Sequence, residues 1–345
     1  MKKTTSILLT TFLIIAILTG CAGGGGTQAQ GGSDGDLTIW RFAGMGSETH
    51  PASLGAMRFA EEIHERIGDE VEVQIFLNGV LGTIPDQQIN GLLNEIIHFC
   101  DITLSNVPEF SSAFIPLDAP YLFLDRETAF SVLDGEVGDM MRQRYEEESG
   151  IRLIAVFDHG FRHVTNSRNP IYTPGDIQGL NIRTLANNIH MEAFSSFGAL
   201  PTVMAFGEVM TALQQGTVDG QENSISTIWD ANMHEMQNYL SMTSHVYGFL
   251  GVHMSAAYYH SLPEHWRVAI DEAAAIAEAY QREIAYRDSV AALQYIEESG
   301  LIQINHLTHE QMMAFRDLSQ SAWELAAAQS GQEYFDTIAA EAGVR

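Results

Sequence analysis

Predicted strands and helices alternate along the chain, and this alternation constrains the fold more than any other feature. Residues 37–42 and 71–77 are predicted as strands, the second because its side chains alternate at period two. Residues 51–67 are predicted as a helix because apolar residues recur at helical spacing. A helix over 85–97 then leads to a buried strand over 99–104. This order predicts a mixed or parallel α/β sheet covered on both faces.

The same alternation resumes in the second half of the chain. Strands are predicted over 151–157 and 180–183, and helices over 187–197 and 206–215. About 310 residues follow the first 36, which is more than one ordinary core needs and enough for two domains.

A long helix is predicted towards the C-terminal end. Helix-forming residues run from 263 to 298, and Ser261 and Glu264 stand at capping-box spacing before them. At about 1.5 Å per residue, this helix would be on the order of 50 Å long, which suits a strut shared by two domains. A kinked or broken pair of helices is the alternative.

The first 20 residues have the pattern of a secretory signal. Lys2 and Lys3 precede an apolar run that starts at Ile7 and closes with small residues before Cys21. A membrane-spanning helix needs about 20 apolar residues, more than this run supplies, although an uncleaved anchor is the alternative. The segment resembles a bacterial lipoprotein signal with Cys21 as the lipidated residue, and residues 21–35 have the composition of a flexible tether. We therefore expect an extracytoplasmic, lipid-anchored protein.

The charge balance excludes several classes of function. Removal of residues 1–20 leaves 15 arginines, no lysine and 44 acidic side chains, a formal charge of −29. Such a surface repels phosphate backbones, so no nucleic-acid partner is expected. Without lysine, Schiff-base chemistry, a pyridoxal-phosphate anchor and a P-loop are excluded. The acidic, lysine-free composition suits an alkaline or saline habitat, with chance compositional bias as the alternative.

Signatures of enzymes and metal sites are missing from the sequence. There is no Walker loop and no His-Glu-x-x-His segment. His159 and His163 are four residues apart, but this stretch is predicted as extended, so they do not share a helix face that could bind a metal. Cys100 is expected to be a small buried apolar residue. We therefore predict a protein that is not an enzyme, with no cofactor and no metal.

Three segments carry a specific resemblance to a known family. These are residues 179–183 (GLNIR), 197–209 (FGALPTVMAFGEV) and 212–223 (ALQQGTVDGQEN). They resemble the signature of the substrate-binding proteins of tripartite ATP-independent periplasmic (TRAP) transporters, of the DctP type. Weaker matches lie earlier in the chain, at 76–82, 119–123 and 160–166. Together the segments run through most of the mature chain in the family's order.

The resemblance implies a fold of the periplasmic-binding-protein type. Two α/β domains would be joined by crossing strands and a long domain-spanning helix, and they would close on a ligand like a Venus flytrap. The expected boundaries are 36–158 plus 249–288 for the first domain and 159–248 plus 289–345 for the second.

The resemblance also implies the ligand-binding residues. Arg183 matches the arginine of the Gly-Leu-x-x-Arg segment, which grips the ligand carboxylate in the family through two parallel charge-assisted bonds. Arg162 matches a second arginine, whose alternative role is an ion pair with an internal acid. Asn223 matches a position whose amide faces the ligand. Phe206 matches an aromatic that walls the pocket, with plain core packing as its alternative.

The chain departs from the family pattern at two places. It has Thr184, Leu185, Ala186 and Asn187 where the family often continues from its arginine as Val-Pro, and Ser224 where a proline commonly follows the asparagine. These departures affect the finer ligand contacts. In the first domain, Glu48, His50, Thr103 and Asn106 are candidates by position alone.

The implied function is capture of a small carboxylate-bearing organic acid, such as a C4-dicarboxylate or a uronate. The protein would deliver the acid to the membrane subunits of a TRAP transporter, which is driven by an ion gradient. Two alternatives stay open: an extracellular hydrolase or lyase that acts on an acidic saccharide, and a ligand-sensing receptor subunit.

Overall fold

A mixed β-sheet runs through the molecule. The structure is a computed structural model that describes residues 37–344, so the predicted signal, Cys21 and the tether lie outside the described residues. Within residues 37–344 the strands, in chain order, are β1 Thr38–Ala43, β2 Val71–Phe76, β3 Phe99–Thr103, β4 Ile151–Asn166, β5 Asn181–Thr184, β6 Leu200–Val203, β7 Gly220–Ser224, β8 Tyr239–Met242, β9 Tyr247–Ser255 and β10 Gln303–His306.

Helices occupy much of the remaining chain. The helices, in chain order, are α1 Pro51–Ile67, α2 Pro85–Leu93, α3 Arg126–Asp134, α4 Glu136–Ser149, α5 Pro174–Ile177, α6 Asn188–Ser196, α7 Phe206–Gln215, α8 Ile225–Asp230, α9 Ala256–Ser261, α10 Glu264–Ser299, α11 His309–Leu318, α12 Gln320–Ser330 and α13 Gln332–Glu341. Among residues 37–344, no helix combines the length and the apolar character that a membrane crossing requires.

The strand order is β2-β1-β3-β9-β4-β7-β5-β6, with β8 beside β4 and β10 beside β8. The pairs β1/β2, β1/β3, β5/β6, β5/β7 and β8/β10 are parallel, whereas β3/β9 and the three pairs that β4 makes are antiparallel. The prediction of a mixed α/β sheet is confirmed.

The sixteen-residue strand β4 connects the two ends of this sheet. Its residues 151–161 pair with β9, and its residues 162–166 pair with β7 on one side, with β8 pairing along 164–166. The predicted strand over 151–157 was therefore too short. Polar residues continue the strand as far as Asn166, and they are buried there because they have hydrogen-bonding partners elsewhere in the fold.

Helix α10 is a single helix of 36 residues, so the alternative of a broken pair is wrong. The predicted capping box is also wrong. Ser261 ends α9, where its hydroxyl donates to the carbonyl of Tyr258 at 2.7 Å, and Pro263 precedes α10 without a side-chain cap.

Several helices lie close to their predicted bounds. Helices α1 and α7 have the predicted bounds. Helix α2 ends four residues earlier than predicted, because Asn94 caps it and Glu95 takes a positive φ of 56° that turns the chain towards β3.

The apolar core is divided into three clusters of buried side chains. One surrounds Trp40, Phe59 and α10, another surrounds Phe114, Tyr145 and the C-terminal helices, and the third lies under α7 and α8. Cys100 is buried in the second of these clusters as a free thiol, as predicted. Residues 37–344 cluster as one compact unit, and the predicted domain boundaries stay a prediction.

Candidate functional site

A cavity of about 320 Å³ lies where the ends of strands from both parts of the sheet meet. This volume is at the lower end of the range for small-molecule sites. Elements from both parts of the sheet build its wall. They are the loop after β1, the start of α2, the end of β3, the middle of β4, β5, the segment after β6, the starts of α1 and α7, β7, α8 and one residue of β9.

The structure brings seven of the eight predicted binding residues to this cavity. These are Arg183, Arg162, Asn223, Phe206, His50, Thr103 and Asn106. Glu48 is exposed on the loop after β1 and is not part of the cavity wall.

Arg183 is positioned by the parallel pairing of β5 with β6. Its Nε and Nη2 donate to the carbonyl of Met204, just after β6, at 2.9 and 2.6 Å. A guanidinium has five N–H donors, so both donors of Nη1 and one of Nη2 are left without a partner among the described residues. Burial lowers the pKa of Arg183 to about 10, and the group is therefore still charged at neutral pH. The unused edge of the guanidinium matches a carboxylate.

Arg162 forms an internal ion pair. Its Nε lies 2.5 Å from Oε2 of Glu222, and its Nη2 donates to Oε1 at 2.9 Å and to the Glu222 carbonyl at 2.8 Å. Nη1 makes no hydrogen bond with the described residues. The alternative role as an ion-pair partner is thus present in the structure, and a direct ligand contact through Nη1 stays a prediction.

The geometry of β7 explains the motif that carries Glu222 and Asn223. A Cβ at Gly220 would lie 2.1 Å from the carbonyl of Thr165 on β4, so this position requires glycine. The close approach sets the register in which Asn223 pairs with His163 and Ser224 with Arg162. Arg162 and Glu222 can therefore meet across the strand pair.

Glu222 stays ionised in spite of complete burial. Burial alone would raise the pKa of Glu222, but Arg162 and the neighbouring histidines hold it well below its usual value. Nε2 of His245 lies 3.2 Å from Oε2, and Nδ1 of His190 lies 3.8 Å from Oε1, beyond direct hydrogen-bond distance.

His190 extends this network to a second buried acid. Its Nε2 lies 3.1 Å from Oδ1 of Asp118, and Asn187 donates to Oδ2 of the same carboxylate at 2.7 Å. Burial alone would lower the pKa of His190, but hydrogen bonding to Asp118 and the charge of Glu222 raise it to about 9. These contacts were not predicted from the sequence, although Asn187 was noted as a departure from the family pattern.

The two departures from the family pattern both cap helices. The side-chain Oδ1 of Asn187 accepts from the backbone N–H groups of Ile189 and His190 at the start of α6. The Ser224 hydroxyl accepts from the backbone of Thr227 at the start of α8, at 3.4 Å. Oδ1 of Asn223 accepts from the backbone of Ser224, which leaves its Nδ2 without a partner among residues 37–344.

The side of the cavity formed by the first part of the chain is polar. His50 caps α1, because its Nδ1 accepts from the backbone of Ala52 at 3.2 Å. Burial lowers the pKa of His50, so the ring is neutral and carries its proton on Nε2. The Thr103 hydroxyl is buried and has no hydrogen-bond partner in the described chain.

Asp101 also lies in the cavity wall, and it was not among the predicted binding residues. Asp101 stands two residues before Thr103 on β3, so both side chains point to the same face, and this spacing was the available signal. Its Oδ1 accepts from the backbone of Met45 at 3.1 Å. Burial raises the pKa of Asp101 from 3.8 to about 7.

Ser47 and Asp230 join opposite sides of the cavity. The hydroxyl of Ser47 donates to Oδ1 of Asp230, and its backbone N–H lies 3.3 Å from Oδ2. Ser47 belongs to the loop after β1, whereas Asp230 ends α8, so the contact bridges two segments that are 183 residues apart.

Phe206 lies between the cavity and the apolar core. It lines the cavity at the start of α7, and it also packs against the core cluster under α7 and α8. Its ring therefore supports the wall from the core side.

The family model for "Bacterial extracellular solute-binding protein, family 7", or DctP, matches residues 42–330. The chain belongs to this family. The family's members are solute-binding proteins of TRAP transporters and not enzymes, as predicted from the sequence. They work in the periplasm.

Curated relatives of this DctP-family chain include the 2,3-diketo-L-gulonate-binding periplasmic protein YiaO of Escherichia coli (strain K12). The two are 34% identical over 277 residues, which covers 80% of this chain and 83% of YiaO.

Solved structures of the family have the same fold. The sugar acid binding protein DctPAm from Advenella mimigardefordensis, in complex with galactonate, matches with a TM-score of 0.85 and 29% identity over 89% of this chain and 99% of that protein. A TRAP periplasmic solute-binding protein from Shewanella oneidensis with bound succinate matches with a TM-score of 0.84 and 26% identity over 89% and 99% of the two chains. The predicted periplasmic-binding-protein-like fold with a long helix is confirmed.

Proposed function

We propose that this protein captures a small organic acid outside the cytoplasm and delivers it to the membrane subunits of a TRAP transporter. The observation that carries the proposal is the unused edge of Arg183. A buried guanidinium, fixed by Met204, faces a cavity, and three of its donors have no partner in the described part of the chain. A carboxylate would satisfy these donors and neutralise a charge that is expensive to bury alone.

Residues from both sides of the cavity complete the binding site. Arg162 and Asn223 each offer a nitrogen without a partner among residues 37–344, through Nη1 and Nδ2, and Phe206 forms part of the wall. His50, Thr103 and Asn106 face the same cavity from the first part of the chain. Glu48 is exposed outside the cavity, so it is not part of the proposed site.

The names of related proteins support an acid as the ligand. YiaO is named for 2,3-diketo-L-gulonate, DctPAm holds galactonate, and the Shewanella oneidensis protein holds succinate. Each of these ligands carries at least one carboxylate. Sugar acids and C4-dicarboxylates are therefore the compounds to screen first.

Replacement of Arg183 by lysine tests the proposal. Lysine keeps the charge but lacks the planar fork, so we expect a loss of about 2 to 4 kcal/mol in binding free energy by titration calorimetry. Arg168→Lys is the matched control, because its side chain is 65% exposed and pairs with Asp219. An affinity change below tenfold for Arg183→Lys, in a variant that still folds, would contradict the assignment.

Attachment to the membrane is proposed to occur through a lipid on Cys21. A single acyl chain binds a membrane only marginally, so stable anchoring requires more than one chain on this residue. Wild-type protein is expected in the membrane fraction, and Cys21→Ser protein is expected to remain unprocessed with unchanged ligand affinity. Wild-type protein found wholly in the soluble fraction, with an N-terminus after Cys21, would refute the anchor.

A further inference from the structure

Acidic side chains outnumber arginines in the cavity wall. Two are arginines, and four are acids: Asp86, Asp101, Glu109 and Asp230. Histidines 50 and 159 also line the cavity, and burial lowers the pKa of both, so they add no positive charge at neutral pH.

Only one of the two arginines has a free positive charge. Arg162 is neutralised by the carboxylate of Glu222, with which it shares two hydrogen bonds. Among the described residues, Arg183 hydrogen-bonds only to a neutral carbonyl, that of Met204. The site can therefore neutralise one carboxylate, provided that Arg183 is the anchor put forward under the proposed function.

The opposite wall offers no cation to a second carboxylate. The lining residues between Met45 and Glu109 include no arginine and no lysine, and they include the buried Asp101, which is largely ionised above its raised pKa of about 7. Like charges close together in a desolvated site repel strongly, and a buried carboxylate without a partner is unfavourable. A dicarboxylate anchored at Arg183 would have to place its second charge here.

The polar atoms of this wall are a mixture of donors and acceptors. Nε2 of His50 is a donor, the Thr103 hydroxyl has no partner within residues 37–344, and the Asp101 carboxylate accepts. An alcohol both donates and accepts, so it can use all three. An ammonium group can only donate, and it would leave the His50 donor unpaired.

We propose that the cavity selects acids with one carboxylate and a hydroxylated chain and rejects dicarboxylates, with Asp101 as a specificity-determining residue. The selection arises from the charge inventory of the wall. Arg183 binds the carboxylate, and the hydroxyl groups lie against the side that carries Asp101.

Pairs of sugar acids with the same carbon skeleton test this selectivity. Galactonate and galactarate differ in a second carboxylate, as do erythronate and tartrate at four carbons. One of the two pairs will have the chain length that fits the cavity better. Within that pair, calorimetry at pH 8 is expected to give at least about 30-fold tighter binding of the monoacid than of the dicarboxylate. Hexanoate, without hydroxyl groups, and a 2-amino-2-deoxyaldonate should bind more weakly than galactonate. Equal binding within both pairs, tighter binding of the amino compound, or no binding of any hydroxylated monoacid would overturn the proposal.

Variants of Asp101 and Asn106 test whether the selectivity arises from the charge of this wall. Asp101→Asn is expected to reduce the ratio of the galactarate and galactonate dissociation constants at least fivefold, because the repelling charge is lost. Asp139→Asn, which lies on α4 with its side chain 82% exposed, should leave the ratio unchanged. Asn106→Lys adds a cation to the same wall and should also lower the ratio, which keeps the test usable if Asp101→Asn does not fold. An unchanged ratio in both cavity variants would overturn the role of the wall charge.

The same measurements separate this inference from the function on which it rests. If Arg183→Lys weakens both members of a pair but wild-type protein binds them equally, the selectivity is wrong and Arg183 remains the anchor. If Arg183→Lys binds all acids as tightly as wild type, the proposed function itself fails.

Discussion

Arg162 and Glu222 meet side-on in the interior, with Nε and Nη2 of the guanidinium against the two oxygens of the carboxylate. Their side chains are 2% and 0% exposed, so solvent screens neither charge. Arg162 lies on β4 and Glu222 on β7, and His245 and His190 surround the same carboxylate. The net charge beside the cavity therefore depends on Glu222 as much as on Arg162 and Arg183.

Glu222→Gln is expected to destabilise the protein by about 3 to 5 kcal/mol, because it leaves Arg162 as an unpaired buried charge. Chemical denaturation monitored by circular dichroism measures the change. Glu146→Gln is the control, since Glu146 pairs with Arg152 at 2.9 Å at a partly exposed position, and a loss of no more than about 1 kcal/mol is expected there. Similar losses in the two variants would show that the buried pair contributes no more than the surface pair.

Asp101→Asn is expected to change stability in a pH-dependent way. The folded pKa of about 7 lies above the usual 3.8, so the folded state binds this proton more tightly than the unfolded state. The resulting stability is fully present below pH 3.8 and is lost as pH rises through about 7. Asparagine keeps the oxygen that accepts from Met45 and removes the charge. The variant should therefore be more stable than wild type at pH 9, by about 2 to 4 kcal/mol, and should show no such gain at pH 4.

Asp139→Asn is again the matched control for this pH series, because its exposed side chain should leave the free energy of unfolding unchanged at both pH values. An equal effect of Asp101→Asn at pH 4 and pH 9 would contradict the cause given for the raised pKa.

Ligand binding is expected to close the two predicted domains on each other, because both sides of the cavity must contact the ligand. Small-angle scattering should then record a smaller radius of gyration with saturating galactonate than without it. The Arg183→Lys variant, measured at the same ligand concentration, is the control. An unchanged radius for wild-type protein that calorimetry finds fully occupied would refute closure.

Ser47→Ala is expected to weaken ligand binding although Ser47 is not part of the cavity wall. Its hydroxyl donates to Asp230 and so joins the loop after β1 to α8, two segments that line the cavity. Its loss should therefore weaken ligand binding by about tenfold, mainly through faster dissociation. Stopped-flow fluorescence would measure the dissociation rate. Ser131→Ala on α3, whose exposed hydroxyl donates to the Thr128 carbonyl, should bind like wild type. A slower association rate with unchanged dissociation would contradict a role of the Ser47–Asp230 hydrogen bond in retaining the bound ligand.

The sequence predicted the elements whose side chains follow a simple period. Helices α1 and α7 end where expected because their apolar faces are continuous, and β1, β2 and β3 differ from prediction by only one or two residues. Strand β4 was predicted too short because its second half carries Arg162, His163 and Asn166, which have the composition of a surface.

Burial of these polar residues depends on partners that are far away in the chain. Glu222 is 60 residues from Arg162, and Asp118 is 72 residues from His190. No local pattern encodes such pairs. Arg183 could be predicted as a ligand-binding residue because a motif surrounds it, and the spacing of Asp101 from Thr103 was a signal that could have been used. His190 and Asp230 became visible only when the fold brought their segments together.

The contacts between α10 and β4 also bear on the solubility of the protein. Along residues 151–161, β4 pairs with β9 on one edge only. On the other edge, Glu278 accepts from the backbone of Val156, Gln281 exchanges two hydrogen bonds with the backbone of Asp158, and Arg282 donates to the Val156 carbonyl. A bare strand edge is a template for another chain. The long helix therefore covers, with its own side chains, the backbone groups through which two molecules could otherwise join into an aggregate.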